Sequence, residues 1–201
     1  MEVLELIERH PAAWRGATRH PFLHAVRQGA LPAKAFEAWL TQDYLFVANL
    51  MIFQSRLLAW APRPDQAVLA SGLVAVEAEL GWFEDRAGER GLKLETPPHP
   101  TTVAYRDFLI GLEDEPYAAG ITALWALERA YFEAWRSAAP GHPDYREFVE
   151  HWTTPEFADY VAGLEKAAAS ALKSGGEGER ERAEAAFLEV ARLEKDFWEI
   201  A

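Results

Sequence analysis

From Leu31-Pro32 to about Trp60, the residues Phe36, Trp39, Leu40, Phe46, Val47, Leu50, Phe53 and Leu57 fall on the three-and-four spacing of one helix face. That spacing is one buried stripe of a long helix and excludes the two-residue period of a strand. Pro32 is tolerated in its first turn, and Ala61-Pro62-Arg63-Pro64-Asp65 ends it. Asp43 falls inside the stripe, three residues after Leu40 and four after Trp39. A carboxylate on a core face must be hydrogen-bonded, protonated or open to a cavity, because an unpartnered buried charge costs too much.

The rest of the chain follows the same helical period. Short helices are expected over about Val3–His10 and through Trp14, then from His20-Pro21 to Val26, closed by Gly29. A helix from Gln66 to Arg90 ends at Gly91, a suitable C-terminal cap. Leu94 to Pro100 is a rigid extended connector. Thr101 or Thr102 is expected to cap a helix through Leu112, and Pro116 to start another through Ser137. Pro140-Gly141-His142-Pro143 is a turn before a helix to Trp152, and Thr154-Pro155-Glu156 starts the next, to Lys173. Ser174 to Gly178 is expected to be a flexible loop before a last helix over Glu179–Trp198. No alternating run, internal repeat or long linker interrupts this pattern. The expected architecture is all-α, a single-domain bundle of seven to nine helices over residues 1–201.

Composition narrows the function. Half of the 201 residues are hydrophobic, which argues against disorder. A net charge of −12 disfavours nucleic acid or anionic membrane as partner, since phosphate contacts need clustered Lys and Arg. There is no cysteine, so disulfides, thiolate metal sites and cysteine nucleophiles are excluded. The charged, periodic start MEVLELIERH is unlike a signal peptide, and no apolar run has the length of a membrane span. A soluble cytoplasmic protein is expected.

Asp43 has two counterparts. Glu128 lies among Ile121, Leu124, Trp125, Tyr131, Phe132 and Trp135, and Glu194 among Phe187, Val190, Ala191, Phe197 and Trp198. Each acid has aromatic neighbours three or four residues away, and Tyr105 shares a helix face with Phe108 and Leu109. Three carboxylates and several aromatics on different helices can line one pocket in a bundle. Such a pocket suits a flat, nitrogen-rich heterocycle, with rings stacking on its faces and carboxylates accepting from its amino groups. Carboxylates in apolar surroundings also become proton donors near neutrality. The alternative is that the acids lie at stripe edges and pair with Arg. In the run Glu77–Glu84, Trp82 and Phe83 are expected in the core and the charges in solvent.

Other chemistries lack their residues. No Glu-x-x-His is present, so the paired motif of a dinuclear carboxylate site is missing and no metal is expected. There is no Ser-centred nucleophile elbow and no Gly-rich phosphate loop.

At these positions the chain resembles the TenA family, also called thiaminase II, which has a haem-oxygenase-like helical fold. The resemblance rests on His20-Pro21-Phe22, Gly29-x-Leu31-Pro32, Gln42-Asp43-Tyr44, Glu79-Leu80-x-Trp82-Phe83, Pro100-Thr101 before Tyr105, Leu124-Trp125-Ala126-Leu127-Glu128-x-x-Tyr131, Pro140-Gly141-His142-Pro143 and Glu194-x-x-Phe197-Trp198. Their order and spacing cover nearly the whole chain.

The resemblance implies a hydrolase of thiamin salvage that needs no cofactor and forms a homotetramer or homodimer. Asp43 resembles the acid that binds the aminopyrimidine edge, Tyr105 and Tyr131 resemble active-site tyrosines, and Glu194 resembles the glutamate that handles ring-nitrogen protonation. Phe46 and Trp152 fall where many members have tyrosines bordering the substrate. One departure matters most: Leu127 stands where the better-known branch has a catalytic cysteine. The chain is similar to a second branch with a glutamate one residue later, here Glu128, associated with aminomethyl- or formylaminomethyl-pyrimidines rather than intact thiamin. Catalysis is expected from Glu194 and Glu128, with Asp43, Phe46, Tyr105, Tyr131 and Trp152 binding substrate. Two other readings stay open: a non-catalytic pyrimidine-binding or regulatory protein, and a cofactorless oxidase related to pyrroloquinoline-quinone synthase C.

Overall fold

A computed structural model describes residues 2–201. In chain order these form α1 (Glu5–Arg9), α2 (Pro11–Thr18), α3 (Pro21–Gln28), α4 (Ala33–Trp60), α5 (Gln66–Arg90), α6 (Pro100–Gly111), a 3-10 turn at Leu112–Asp114, α7 (Tyr117–Ala138), α8 (Arg146–His151), α9 (Pro155–Ser174) and α10 (Glu177–Trp198). Eight of the ten α-helices have eight residues or more, and no strand occurs among the described residues. None of these helices is long and apolar enough to cross a membrane.

The chain divides into two compact units, one made of the segment up to Leu31 together with Glu115–Glu199, the other of Pro32–Asp114 with the last two residues. In the first unit α7 packs against α2, α3, α9 and α10, and α10 also packs on α2. Residues on every side of α7 are buried, including Ala119, Ala123, Ala126, Ala130 and Ala134. A helix buried on every side, as α7 is over Ala118–Glu128, belongs at the centre, and its alanines let four neighbours approach closely. The α2–α7–α10 seam is aromatic. Phe187 stacks on Trp14 at 5.4 Å and on Trp125 at 6.1 Å, each ring worth about 1.5–3 kcal/mol when buried.

In the second unit α4 packs against both α5 and α6. The stripe Phe36, Trp39, Leu40, Phe46, Val47, Leu50, Phe53 and Leu57 is buried along its whole length, as the spacing requires. Trp82 is only half-buried while its neighbour Phe83 is fully enclosed, so the paired core assignment holds for Phe83 alone. Of the tryptophans among the described residues, only Trp60, at 81 %, is strongly exposed.

Several helix starts use histidine before proline. His20 and His99 are both extended, and each Nδ1 accepts the N–H two residues on, from Phe22 and from Thr101. This corrects the expected Thr101 or Thr102 cap: Pro100 forces His99 out of the helix, which places its ring over the first turn. α9 starts at Thr154-Pro155-Glu156 as expected, and Thr154 caps it, its hydroxyl accepting from Phe157 N–H. The expected loop at Ser174–Gly178 is shorter than the glycines suggest. Glu179 reaches back to accept the Gly176 N–H at 2.8 Å, so α10 begins at Glu177.

Candidate active site

Among the described residues the buried carboxylates are Asp43, Glu128 and Glu194, at 1 %, 7 % and 4 % exposure. These are the three acids that interrupt apolar stripes in the sequence. The remaining acids lie at the surface or half-buried, many paired with Arg, as Arg129 with Glu133 and Glu165.

In the first unit Glu128 and Tyr131 stand one turn apart on α7, and Glu194 and Trp198 one turn apart on α10. Tyr131 is half-buried and sits between two tryptophans. Its ring lies 6.1 Å from Trp198, nearly parallel at 20°, and 5.4 Å from Trp152, edge to face at 77°. Trp152 ends α8 and is wedged 4.4 Å from Trp135. Trp198 is anchored by its indole N–H, which donates to the Ala17 carbonyl at 2.8 Å. The structure therefore gathers Tyr131 and Trp152, expected from sequence, with Trp135 and Trp198, whose stacking roles were not. The available signal for Trp198 was its place four residues after Glu194.

A turn in the same unit holds α8. Gly141 has φ +78 and Gly29 φ +68, both in the left-handed region that favours glycine. The His142 ring rests directly on Gly29, and the Tyr145 hydroxyl donates to the Leu31 carbonyl at 2.6 Å. The Pro140–Pro143 turn is thus fastened to the α3 terminus, and Trp152 follows from it.

In the second unit Asp43 and Phe46 share the buried face of α4, and Tyr105 meets Phe46 from α6 at 4.6 Å between centroids. Beside Asp43, Gln42 is buried and bonded on both sides of its amide. Its Oε1 accepts from His99 N–H at 2.7 Å and from Thr102 Oγ1 at 2.8 Å; its Nε2 donates to Pro97 O at 3.2 Å and Thr96 Oγ1 at 3.4 Å. Tyr44, the third residue of the motif, points elsewhere. Its hydroxyl donates to Glu84, and burial together with that carboxylate raises its pKa above 10.0. Among the described residues no three His, Asp or Glu side chains gather as metal ligands would.

Comparison with known proteins gives one answer. The model of the TENA/THI-4/PQQC family matches residues 7–201. A TenA homologue from Pyrococcus furiosus, solved by X-ray crystallography, is 34% identical; the match covers 100% of this chain and 99% of that one with a TM-score of 0.95. A Glycine max protein named "Probable bifunctional TENA-E protein" is 30% identical over 97% of this chain and 90% of its own. An "Aminopyrimidine aminohydrolase" of Halalkalibacterium halodurans is 26% identical over 98% of this chain and 93% of its own.

The fold is all-α and of the haem-oxygenase-like type. Within that class, the chain belongs to the TENA/THI-4/PQQC family.

Proposed function

We propose that this chain is a C–N hydrolase of thiamin salvage, an aminopyrimidine aminohydrolase. Its substrate is 4-amino-5-aminomethyl-2-methylpyrimidine or the formyl derivative, and its product the 5-hydroxymethyl pyrimidine. The observation that carries the reading is the burial of Asp43, Glu128 and Glu194 on aromatic-rich helix faces. Its second support is the aminohydrolase name of the Halalkalibacterium halodurans relative.

The roles follow from what carboxylates can do. The bond broken is the methylene C–N bond, whose electron pair leaves with nitrogen as ammonia once that nitrogen is protonated. The bond formed is methylene C–O, and the proton lost by the attacking water passes to a carboxylate. Glu194 and Glu128 are assigned these proton transfers, which contribute typically 10²–10⁴-fold in rate. Asp43 is assigned the amino edge of the pyrimidine, with Phe46 and Tyr105 beside it. Tyr131 and Trp152 are assigned to bordering the ring. With no cysteine in the chain and Leu127 preceding Glu128, a thiolate attack on thiamin has no nucleophile.

The proposal treats the chain as one TenA-like domain, the family match running unbroken through both units. It also places the protein in the cytoplasm as a homodimer or homotetramer. Exposed apolar side chains at Ile52, Trp60, Val74 and Ile110 of the second unit support association, and light scattering on the purified protein tests it.

The functional test is ammonia release from purified protein with the aminomethylpyrimidine, the formyl derivative and thiamin in parallel. Ammonia from the aminomethyl compound, and formamide from the formyl one, with no thiazole from thiamin, supports the reading. Tight pyrimidine binding without turnover overturns it in favour of a binding protein.

A further inference from the structure

We propose that Gln42 is a positioning residue: its amide fixes the connector before α6 and thereby sets Tyr105 against Phe46. This rests on the proposed reading insofar as Phe46 and Tyr105 are taken to hold the substrate.

The connector cannot hold itself. Pro97, Pro98 and Pro100 have no N–H, so His99 supplies the single backbone donor between Thr96 and Thr101. That donor goes to Gln42 Oε1 at 2.7 Å. Residues 97–100 are exposed, and 97–99 precede the helix that Pro100 opens, so no helical hydrogen bond holds them. The orientation of the amide is forced: His99 N–H can only donate and the Pro97 carbonyl can only accept. With Thr102 Oγ1 and Thr96 Oγ1 added, both oxygen lone pairs and both N–H groups of Gln42 are used.

The clamp and the aromatic contact form successive rungs of one seam. Gln42 meets Thr102, and one turn on, four residues along α4 and three along α6, Phe46 meets Tyr105. All four side chains are buried. A slip of α6 by a single residue moves it by about 1.5 Å and turns Tyr105 away from Phe46. Hydrophobic contact alone resists such a slip poorly, because apolar burial is non-directional. The four-bonded amide supplies the direction.

The test uses the full-length protein and two variants. Gln42→Met keeps the volume and removes every polar contact; Thr102→Val removes one donor and is the gentler change if the first does not fold. Two readouts are taken: amide hydrogen exchange over His99–Tyr105, and the split of KM against kcat with the aminomethylpyrimidine. Gln42→Met is expected to speed exchange in that segment by about tenfold or more, the loss of one or more buried hydrogen bonds. It should raise KM by about tenfold with kcat within about threefold, since it disturbs binding rather than proton transfer. Thr102→Val should move both readouts in the same direction by less. Unchanged exchange in either folded variant overturns the clamp; faster exchange with unchanged KM overturns the positioning role. If wild-type protein shows no turnover of any aminopyrimidine, that failure belongs to the proposed reaction, and exchange alone then decides for or against Gln42.

Discussion

Tyr131 and Trp198 stack across the α7–α10 seam at 6.1 Å and 20°, and the Trp198 indole is itself tied to the Ala17 carbonyl. One hydrogen bond to α2 therefore locates the aromatic partner of a candidate site residue and the end of the helix that carries Glu194. Trp198→Phe removes the bond and leaves a buried carbonyl without its donor. The expected cost is about 1–3 kcal/mol, read as a Tm several degrees lower. A Tm equal to that of the wild type means the indole N–H contributes nothing to holding this seam.

Glu128→Gln and Glu194→Gln keep the side-chain shape and remove the titrating group. Each should lower kcat with the aminomethylpyrimidine by a factor on the order of a hundred or more, the usual scale for general acid–base loss. Steady-state ammonia release measures it. Near wild-type turnover in both variants sinks the assignment of these acids to proton transfer.

Gly29→Ala places a methyl where the His142 ring already lies, 2.4 Å from its Cγ, at a backbone φ of +68. The strained conformation and the clash together should cost about 1–3 kcal/mol. A double-mutant cycle with His142→Ala separates them, because removing the ring should leave only the backbone part, roughly 1–2 kcal/mol. Urea unfolding of the four proteins supplies the numbers. Equal costs of Gly29→Ala in both backgrounds would falsify the contact.

His20 links helix capping to pH. Burial lowers its pKa from 6.5, Lys195 adding to the effect and Glu199 opposing it. The folded state thus binds a proton less readily than the unfolded chain, so stability is full above about pH 6.5 and is lost as pH falls through the lowered value. The chemistry agrees, since a protonated Nδ1 can no longer accept from Phe22 N–H. His20→Asn retains an acceptor that does not titrate, and its unfolding free energy should fall less steeply below about pH 6.5. Parallel curves for the two proteins over about pH 5–8 count against the cap as the source.

What the sequence reveals here is set by the range of each interaction. The α5 boundaries, Gln66 and Arg90, follow from Pro64-Asp65 before it and Gly91 after it, all within a turn of the ends. The three buried acids are visible because each interrupts a stripe whose period is local. The α6 cap at His99 was misplaced by two or three residues, although the His-Pro dipeptide that governs it recurs at His20 and at other points in the chain. Trp82 and Phe83 are adjacent, so periodicity alone did not say which faces inward. The Gln42 clamp and the Trp198–Ala17 bond were out of reach altogether. Their partners lie 54–60 and 181 residues away, and neither end carries a pattern that names the other.

The connector Thr96–Pro100 has an evolutionary and engineering consequence. Largely solvent-exposed, proline-rich and, as far as His99, outside any helix, it has the marks of a site where insertions are tolerated. Its length is nevertheless fixed, because adding or deleting one residue moves His99 out of register with Gln42 and breaks their bond. The glycine loop between α9 and α10 is bonded to near neighbours in the chain, Gly175 N–H to the Ala171 carbonyl and Gly176 N–H to Glu179, and has no such restriction. Tags, linkers and inherited length changes should therefore collect at Gly175–Gly176 and avoid the prolines. Of the two loops, the one richer in rigid residues is the one whose length the fold dictates.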